Sequence, residues 1–141
     1  MDGLTSDSAA VYFFDKKNIM QIDFQKINIG DTLPILVKEP ISRTTLALFG
    51  GASHDHNPIH IDIDFAKKAG YKDVFAHGML GMAYLGQVLT NWIHPTAIKS
   101  FSTRFKAITH IRDVLTCSAK VEEKIVAVSY THLTLPTILL M

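Results

Sequence analysis

The hydrophobic and polar positions along the chain predict a series of short elements, and the first of them follows a turn. The segment "NIGDTLP" (28–34) has turn chemistry at Gly30-Asp31. The apolar run "ILVKEPI" comes next and predicts a strand that ends near Pro40.

Two helical segments are predicted after that strand. Ser42 can cap a helix that runs through "RTTLALFG", with Gly50-Gly51 as its predicted stop. Further on, "IDFAKKAGY" predicts a short helical turn that Gly70 closes.

The segment "HGMLGMAYLGQVLTNWI" (77–93) predicts a helix of unusual apolar content. Only Gln87, Thr90 and Asn91 interrupt it, and all three lie toward its C-terminal end. A helix that is apolar on nearly all sides is expected to be surrounded by protein. Its small residues would admit a sheet, a second helix or a slim ligand close to the backbone; these are Gly81, Ala83 and Gly86.

Two alternating runs predict strands after this helix. In residues 100–110 one face would carry Phe101, Thr103, Phe105, Ala107 and Thr109. In residues 113–123 one face would carry Leu115, Cys117, Ala119 and Val121, so we expect Cys117 to be a reduced, buried thiol. The order of elements predicts an α+β domain in which a curved antiparallel sheet wraps a long central helix.

Composition narrows the choice of partners. The 141 residues are 48% hydrophobic and suit one core, and 14 basic and 13 acidic residues leave a formal charge of +1. The chain has no stripe of basic residues of the kind that binds nucleic acid. It also has no apolar run long enough to span a membrane. The first residues lack the pattern of a secretory signal, so we expect a cytoplasmic location.

The stretch "GGASHDHNPIHIDID" (50–64) crowds histidines and aspartates around one proline. A solvated loop is one interpretation. An acid/base pair is a second, because Asp55 and His60 bracket the stiff Asn57-Pro58 turn, which can fold them toward one water. A metal site is the third and weakest, since no second histidine pair supports it; its ligands would be His54, His56, His60, Asp62 and Asp64.

Two motifs in this region resemble a known family. "SHDHNPIHID" is similar to the hydratase signature of the MaoC-like, (R)-specific enoyl-CoA hydratase family, and "FAHGMLGMAYLG" is similar to its downstream His-Gly-Met helix start. The segments "IGDTLP", "RTTLALFGGAS" and "RFKAITHIRDV" resemble their counterparts too, so the resemblance covers about residues 28–127.

The resemblance implies a hot-dog fold with the helix at 78–92 in its centre. It implies that Asp55 and His60 are the catalytic pair and that the Gly78 N–H binds the thioester oxygen. That N–H suits the task because the first turn of a helix has unpaired donors at its positive end. The family implies no metal and no cofactor; the implied substrate-binding residues are Asn57, His77, Met79 and Gly86.

The activity that the resemblance implies is reversible addition of water to a trans-2-enoyl thioester, which gives an (R)-3-hydroxyacyl thioester. The substrate would be an enoyl-CoA or an enoyl-acyl-carrier protein, and the protein would form a homodimer. Two alternatives stay open: a hot-dog acyl-CoA thioesterase and a non-catalytic acyl-thioester-binding partner subunit. Basic residues that could meet the carrier's phosphates, although a solvated face explains them more simply, are Lys99, Arg104 and Lys106.

One position departs from the family pattern. His54 stands where the family usually has glycine, and if that position needs a positive φ its β-carbon costs about 1 kcal/mol. Gly86 stands where some relatives carry serine, which would leave more room.

The chain divides into three predicted parts. Residues 1–27 would be a lead-in, and residues 28–127 the hot-dog domain. The tail "VSYTHLTLPT" (128–137) closely resembles one reading frame of a transposon-end sequencing adapter. We therefore expect residues 128–141 to be non-native and the domain to lack its last strand; the alternative is that "HLTLPTILLM" is a genuine strand.

Overall fold

The computed structural model describes residues 24–126, 131–134 and 137–140. The α-helices of this part are α1 (Arg43–Ser53), α2 (Ile63–Lys68) and α3 (Gly78–Thr90). The strands are β1 (Leu36–Val37), β2 (Thr116–Ala119), β3 (Glu123–Val126), β4 (Thr131–Thr134) and β5 (Thr137–Leu140). Short 3-10 helices cover Phe24–Lys26, Pro58–His60 and Pro95–Ala97.

The strands form two antiparallel sheets, and α3 packs on the larger one. That sheet has the order β1-β2-β5, with Leu36 opposite Cys117 and Cys117 opposite Leu139, while β3 pairs with β4. The helix α3 contacts all three strands of the larger sheet. The predicted α+β architecture with an antiparallel sheet against a long helix is confirmed.

The buried apolar residues of the described ranges form two clusters, and α3 contributes to both. Leu85, Val88 and Leu89 of α3 enter the first cluster, and Leu80 enters the second. The first also contains Ile27, Leu33, Ile93, Ala97, Cys117, Ala119 and Val121, and the second also contains Ile41, Leu46, Ala66, Val74, Ala76 and Leu115. Because α3 spans both clusters, its position is fixed by most of the core, and so is the residue at its start.

Several local predictions are confirmed. Gly30 has a φ of 98° in the turn where Asp31 N–H donates to the Asn28 carbonyl. Ser42 caps α1 by accepting from Thr45 N–H, and Gly70 follows α2 with a φ of 92°. The alternation over 113–123 is confirmed as well, since Cys117 and its same-face neighbours are buried. Burial raises the pKa of the Cys117 thiol to about 11, against a lowering by Lys38.

The predicted end of α1 is wrong. The helix passes through Gly50-Gly51 and ends at Ser53, and its C-cap His54 has the left-handed conformation with φ 59° and ψ 16°. The position therefore does need a positive φ, and the β-carbon of His54 costs about 1 kcal/mol there. Gly50 is in the helix because of a close approach rather than a turn: a β-carbon on it would meet the Asp55 carbonyl oxygen at 3.2 Å.

The prediction that α3 is enclosed on every side is also wrong for this chain. Leu85 and Leu89 are buried, but Met79 is 52% exposed, and Ala83, Gln87 and Thr90 are exposed along the same side. The larger sheet covers only one face of a helix, and apolar composition does not say what covers the other.

The strand predicted over 100–110 does not form within the described part of the chain. Only an isolated bridge joins His110 to Phe75, beside a bond from Ala76 N–H to the Thr109 carbonyl. Alternation decides which side chains face the protein, whereas a ladder also needs a neighbouring backbone. Phe101 and Thr103 do face inward as expected, but Phe105 is 54% exposed.

The predicted lead-in and tail are partly outside these residues. Residues 1–23 lie outside the described part, while Ile27, at the end of the lead-in, packs in the first core cluster. The backbone of 131–134 and 137–140 runs as β4 and β5. The non-native origin of residues 128–141 stays a prediction.

Candidate active site

The loop between α1 and α2 is braced by its own side chains. The Asp55 Oδ1 accepts from Asn57 N–H at 3.3 Å, and the Asn57 Oδ1 accepts from Ile59 N–H at 3.1 Å. The second bond caps the 3-10 helix Pro58–His60, in which Pro58 stands at the first turn. Asn57 thus braces the turn, as its residue type predicted.

This loop brings together three ionisable side chains. Asp55, His60 and His77 each have one nitrogen or oxygen atom within 4.8 Å of such an atom of the other two. Asp55 and His60 are half-buried, and His77 is 1% exposed. Asp55 and His60, which the sequence predicted to converge, therefore do so in this chain, and His77 completes the cluster.

The surroundings of His60 decide which of its nitrogens carries the proton. Its Nδ1 lies 2.8 Å from the Phe75 carbonyl oxygen, which can only accept, so Nδ1 is protonated. In the neutral ring the Nε2 then has a lone pair available for a proton from water. The Phe75 ring meets the His60 ring edge-on at 5.0 Å and holds its plane.

His77 contacts both Asp55 and His60. Its Nε2–H donates to the Asp55 carbonyl oxygen at 3.1 Å, and its ring lies 4.1 Å from the His60 ring at 34°. Burial lowers the pKa of His77, and nearby His60 lowers it further, against the raising effects of the bond to Asp55 O and of the Asp55 charge. The ring is thus held neutral, with its buried Nδ1 unpartnered among the described residues.

The same three side chains are the candidate metal ligands in the described part of the chain. Each imidazole already donates one N–H to a carbonyl, so each keeps one ring nitrogen with a lone pair for any ligand. The candidates His54, His56, Asp62 and Asp64 do not belong to this cluster. Asp62 instead caps α2 by accepting from the N–H groups of Asp64 and Phe65.

Gly78 opens α3 directly beside the cluster. Its N–H has no partner within the helix, and the N-cap His77 makes no side-chain capping bond. The ring of Phe105 lies 3.4 Å from the point where a β-carbon on Gly78 would sit. The helix thus begins with an available N–H donor, next to an aromatic side chain that the sequence had not marked for the site.

The remaining predicted site residues lie outside the cluster of Asp55, His60 and His77. Met79 stands on the exposed side of α3, and Asn57 acts on the loop backbone. Gly86 lies two turns along α3, where the Phe101 ring is 3.5 Å from the place of its missing β-carbon, so a neighbouring ring takes up the room that glycine leaves. Substrate contact by these residues and by His77 stays a prediction.

Besides Phe105, sequence reasoning missed two contributors. One is the Phe75 carbonyl, a backbone group that no motif marks. The other is Gly50, whose missing side chain lets the Asp55 carbonyl and the His77 ring come close to α1. A glycine inside a helical pattern is the available signal, although the pattern predicts the end of the helix there.

The chain is similar to known proteins. The MaoC like domain matches residues 24–136. The (R)-specific enoyl-CoA hydratase of Rhodospirillum rubrum is similar, with 35% identity over 100 residues that cover 70% of this chain and 68% of that protein. The mitochondrial 3-hydroxyacyl-[acyl-carrier-protein] dehydratase of Arabidopsis thaliana is 28% identical over 62% of this chain and 51% of its own length.

A solved structure shares the fold. R-Hydratase PhaJ1 from Pseudomonas aeruginosa has a TM-score of 0.65 at 22% identity and covers 91% of this chain and 86% of its own. The fold is therefore the α+β hot-dog fold, as the motifs implied. The chain belongs to the MaoC-like domain family.

No helix in the described ranges combines the length and the apolar character that crossing a membrane requires.

Proposed function

We propose that this protein is a hydro-lyase that adds water reversibly to trans-2-enoyl thioesters and gives (R)-3-hydroxyacyl thioesters. The observation that carries the proposal is the convergence of the Asp55 carboxylate and the His60 ring beside the first N–H of α3. The names of the similar proteins, a hydratase and a dehydratase, support the same reaction class.

The chemistry follows from the groups present. Asp55 and the His60 Nε2 hold one water between them, and one of them takes its proton while its oxygen bonds to C3 of the enoyl group. The C2–C3 double bond opens, and negative charge moves to the thioester oxygen, where the Gly78 N–H stabilises it. A proton from the pair then goes to C2, so that the elements of one water are added in total. The reverse sequence is dehydration.

His77 acts in this scheme as a positioning residue. Its bond to the Asp55 carbonyl and its contact with the His60 ring join the two catalytic residues through one buried, neutral side chain. A neutral His77 also adds no positive charge next to the His60 ring.

The test is the loss of enoyl-thioester absorbance with crotonyl-CoA as substrate. We expect Asp55→Asn and His60→Gln each to lower the rate by ~10²–10⁴-fold, the usual contribution of a general acid or base, without unfolding the protein. The matched control is His56→Gln, one residue from Asp55 but exposed, which keeps the wild-type rate.

Two results would contradict the hydro-lyase activity, and each would favour a different alternative. Release of free thiol from acyl-CoA, without 3-hydroxyacyl product, indicates a thioesterase. Acyl-CoA binding without turnover, with an Asp55→Asn variant that behaves like wild type, indicates a non-catalytic partner subunit.

We also propose that the chain forms a homodimer. Met79, in the first turn of α3, is 52% exposed, and Phe105, whose ring lies 3.4 Å from the place of a β-carbon on Gly78, is 54% exposed. A second copy would cover these apolar side chains. The cytoplasmic location stays a prediction.

A further inference from the structure

A basic cleft lies apart from the three-residue cluster. It has a volume of about 750 Å³ and is formed by the start of α1, the segment that follows α2 and the turn at 110–112. The side chains in it that bear on binding are Arg43, Tyr71, Lys72, Asp73, His110 and Arg112. Neither Asp55 nor His77 lines the cleft, so it is separate from the pocket of the catalytic pair.

The charge of the cleft is positive after its own ion pair is counted. Arg43 is paired with Asp73, with 2.5 Å between Nη2 and Oδ2, which neutralises that acid. Burial acts to raise the pKa of Asp73, but the Val74 N–H and Arg43 outweigh it and keep this pKa low. Lys72 and Arg112 form no ion pair with a described residue. The N-terminus of α1, at Arg43, adds the positive end of a helix dipole.

Arg112 is held in a conformation that its residue type disfavours. Its φ is 74°, and its N–H donates to the Ile41 carbonyl at 2.8 Å, within a turn that Asp113 closes by accepting from His110 N–H at 2.6 Å. Glycine would take this φ without cost, so the backbone alone gives no reason for arginine. An outlier of this kind points to a role for the side chain, which here lines the cleft.

The cleft lies next to the active site. The Tyr71 ring, which lines the cleft, meets the Phe75 ring at 4.8 Å, and Phe75 meets the His60 ring at 5.0 Å. The ring centres of Tyr71 and His60 are therefore at most about 10 Å apart. A ligand whose reacting end lies at His60 and whose anionic end lies in the cleft needs a linker of only moderate length.

We propose that this cleft binds a phosphoryl group of the carrier that holds the enoyl thioester. The inference rests on the proposed function. Both kinds of carrier, coenzyme A and acyl-carrier protein, join the thioester to a phosphate through a pantetheine arm, and that arm can span the distance from His60 to the cleft. The Arg112 guanidinium gives paired N–H donors to phosphate oxygens, and Lys72 adds a second cation. These residues differ from Lys99, Arg104 and Lys106, the candidates in the sequence for which a solvated face is the simpler interpretation.

The test compares substrates with and without phosphate. Arg112→Gly removes the guanidinium and relieves the positive φ, so this variant folds, and Lys72→Ala removes the second cation. We expect each to lower kcat/KM for crotonyl-CoA about tenfold relative to kcat/KM for crotonyl-N-acetylcysteamine, mainly through KM, as for the loss of one charged hydrogen bond. The control, matched to Lys72→Ala, is Lys120→Ala, an exposed lysine outside the cleft, which leaves that ratio at its wild-type value.

A third substrate, crotonyl-4′-phosphopantetheine, shows which phosphate of the carrier binds in the cleft. An equal loss with this substrate indicates the phosphate that both carriers share, and a loss with crotonyl-CoA alone indicates the phosphates of the nucleotide part of coenzyme A. The proposal is overturned if the variants match wild type on crotonyl-CoA, or if they lose as much on the N-acetylcysteamine thioester.

A second measurement separates this proposal from the proposed function. Titration calorimetry with unacylated coenzyme A needs no turnover, and we expect binding by wild type to weaken about tenfold in Arg112→Gly. If the wild type is inactive but binds coenzyme A through Arg112, the proposed hydro-lyase activity is refuted and the proposed phosphate site in the cleft stands. If the wild type is active and its Arg112→Gly variant binds coenzyme A equally well, the proposed phosphate site is refuted and the proposed hydro-lyase activity stands.

Discussion

The side chain of His77 shows how one buried residue couples the charge state of the site to the stability of the chain. Its Nε2–H already donates to the Asp55 carbonyl, so an added proton must go to the buried Nδ1, which has no partner in the described part of the chain. Burial disfavours that charge, and the pKa of His77 in the folded chain lies below its ordinary value of 6.5. The unfolded chain therefore takes up this proton at a higher pH than the folded chain does.

This difference predicts how the free energy of unfolding depends on pH. Between the ordinary pKa of 6.5 and the lowered pKa of folded His77, the unfolded state binds more protons, so the stability that His77 contributes at neutral pH is lost as pH falls through that window. Urea unfolding from about pH 7.5 to pH 5 measures it. We expect His77→Gln to flatten the dependence, and the matched variant His56→Gln, at an exposed position, to keep the wild-type slope. Equal slopes in all three proteins would show that His77 is not held neutral by the fold.

At the scale of the elements, α1 carries two adjacent glycines with opposite surroundings. A β-carbon on Gly50 would lie 3.2 Å from the Asp55 carbonyl oxygen and 3.5 Å from the His77 Nε2, whereas one on Gly51 would meet nothing within 4 Å. The first glycine lets the helix approach the catalytic loop, and the second is a helical residue without that constraint. A sequence pattern treats the two alike, because it contains no information on what faces each position.

The pair makes a matched experiment. Gly51→Ala should raise the free energy of unfolding by about 0.5–1 kcal/mol through helix propensity and leave turnover unchanged. Gly50→Ala must push the Asp55 carbonyl by a few tenths of an ångström, and we expect it to lower kcat by about tenfold, since small misplacements of a catalytic group are costly. Urea unfolding and the absorbance assay measure both variants. A Gly50→Ala protein as active as Gly51→Ala would mean that the loop tolerates the added methyl group.

At the scale of the whole molecule, the exposed side of α3 is the largest departure from what its composition predicts. Met79 in its first turn is 52% exposed, and Phe105, whose ring lies 3.4 Å from the place of a β-carbon on Gly78, is 54% exposed. If a second copy covers this side, the oligomeric state and the active site depend on the same surface.

Sedimentation equilibrium tests this dependence. We expect the wild-type mass to equal two chains and Phe105→Asp to shift it toward one, because a buried carboxylate without a partner destabilises an interface. The control is Ile29→Asp, at a position that is 64% exposed in the turn before β1, which leaves the mass at two chains. A wild-type mass of one chain at all concentrations would contradict the homodimer.

The sequence alone determined those features that depend on a few neighbouring residues. The Ser42 cap, the Gly30-Asp31 turn, the alternation around Cys117 and the braced Asn57-Pro58 bend follow from local chemistry, and the motifs identified the family and named Asp55 and His60. Only the tertiary structure decided the proton position on His60, the use of His77, the reason for Gly50 and the single covered face of α3. Each of these depends on a group far along the chain, such as the Phe75 carbonyl, and residue order does not record which distant atoms come into contact.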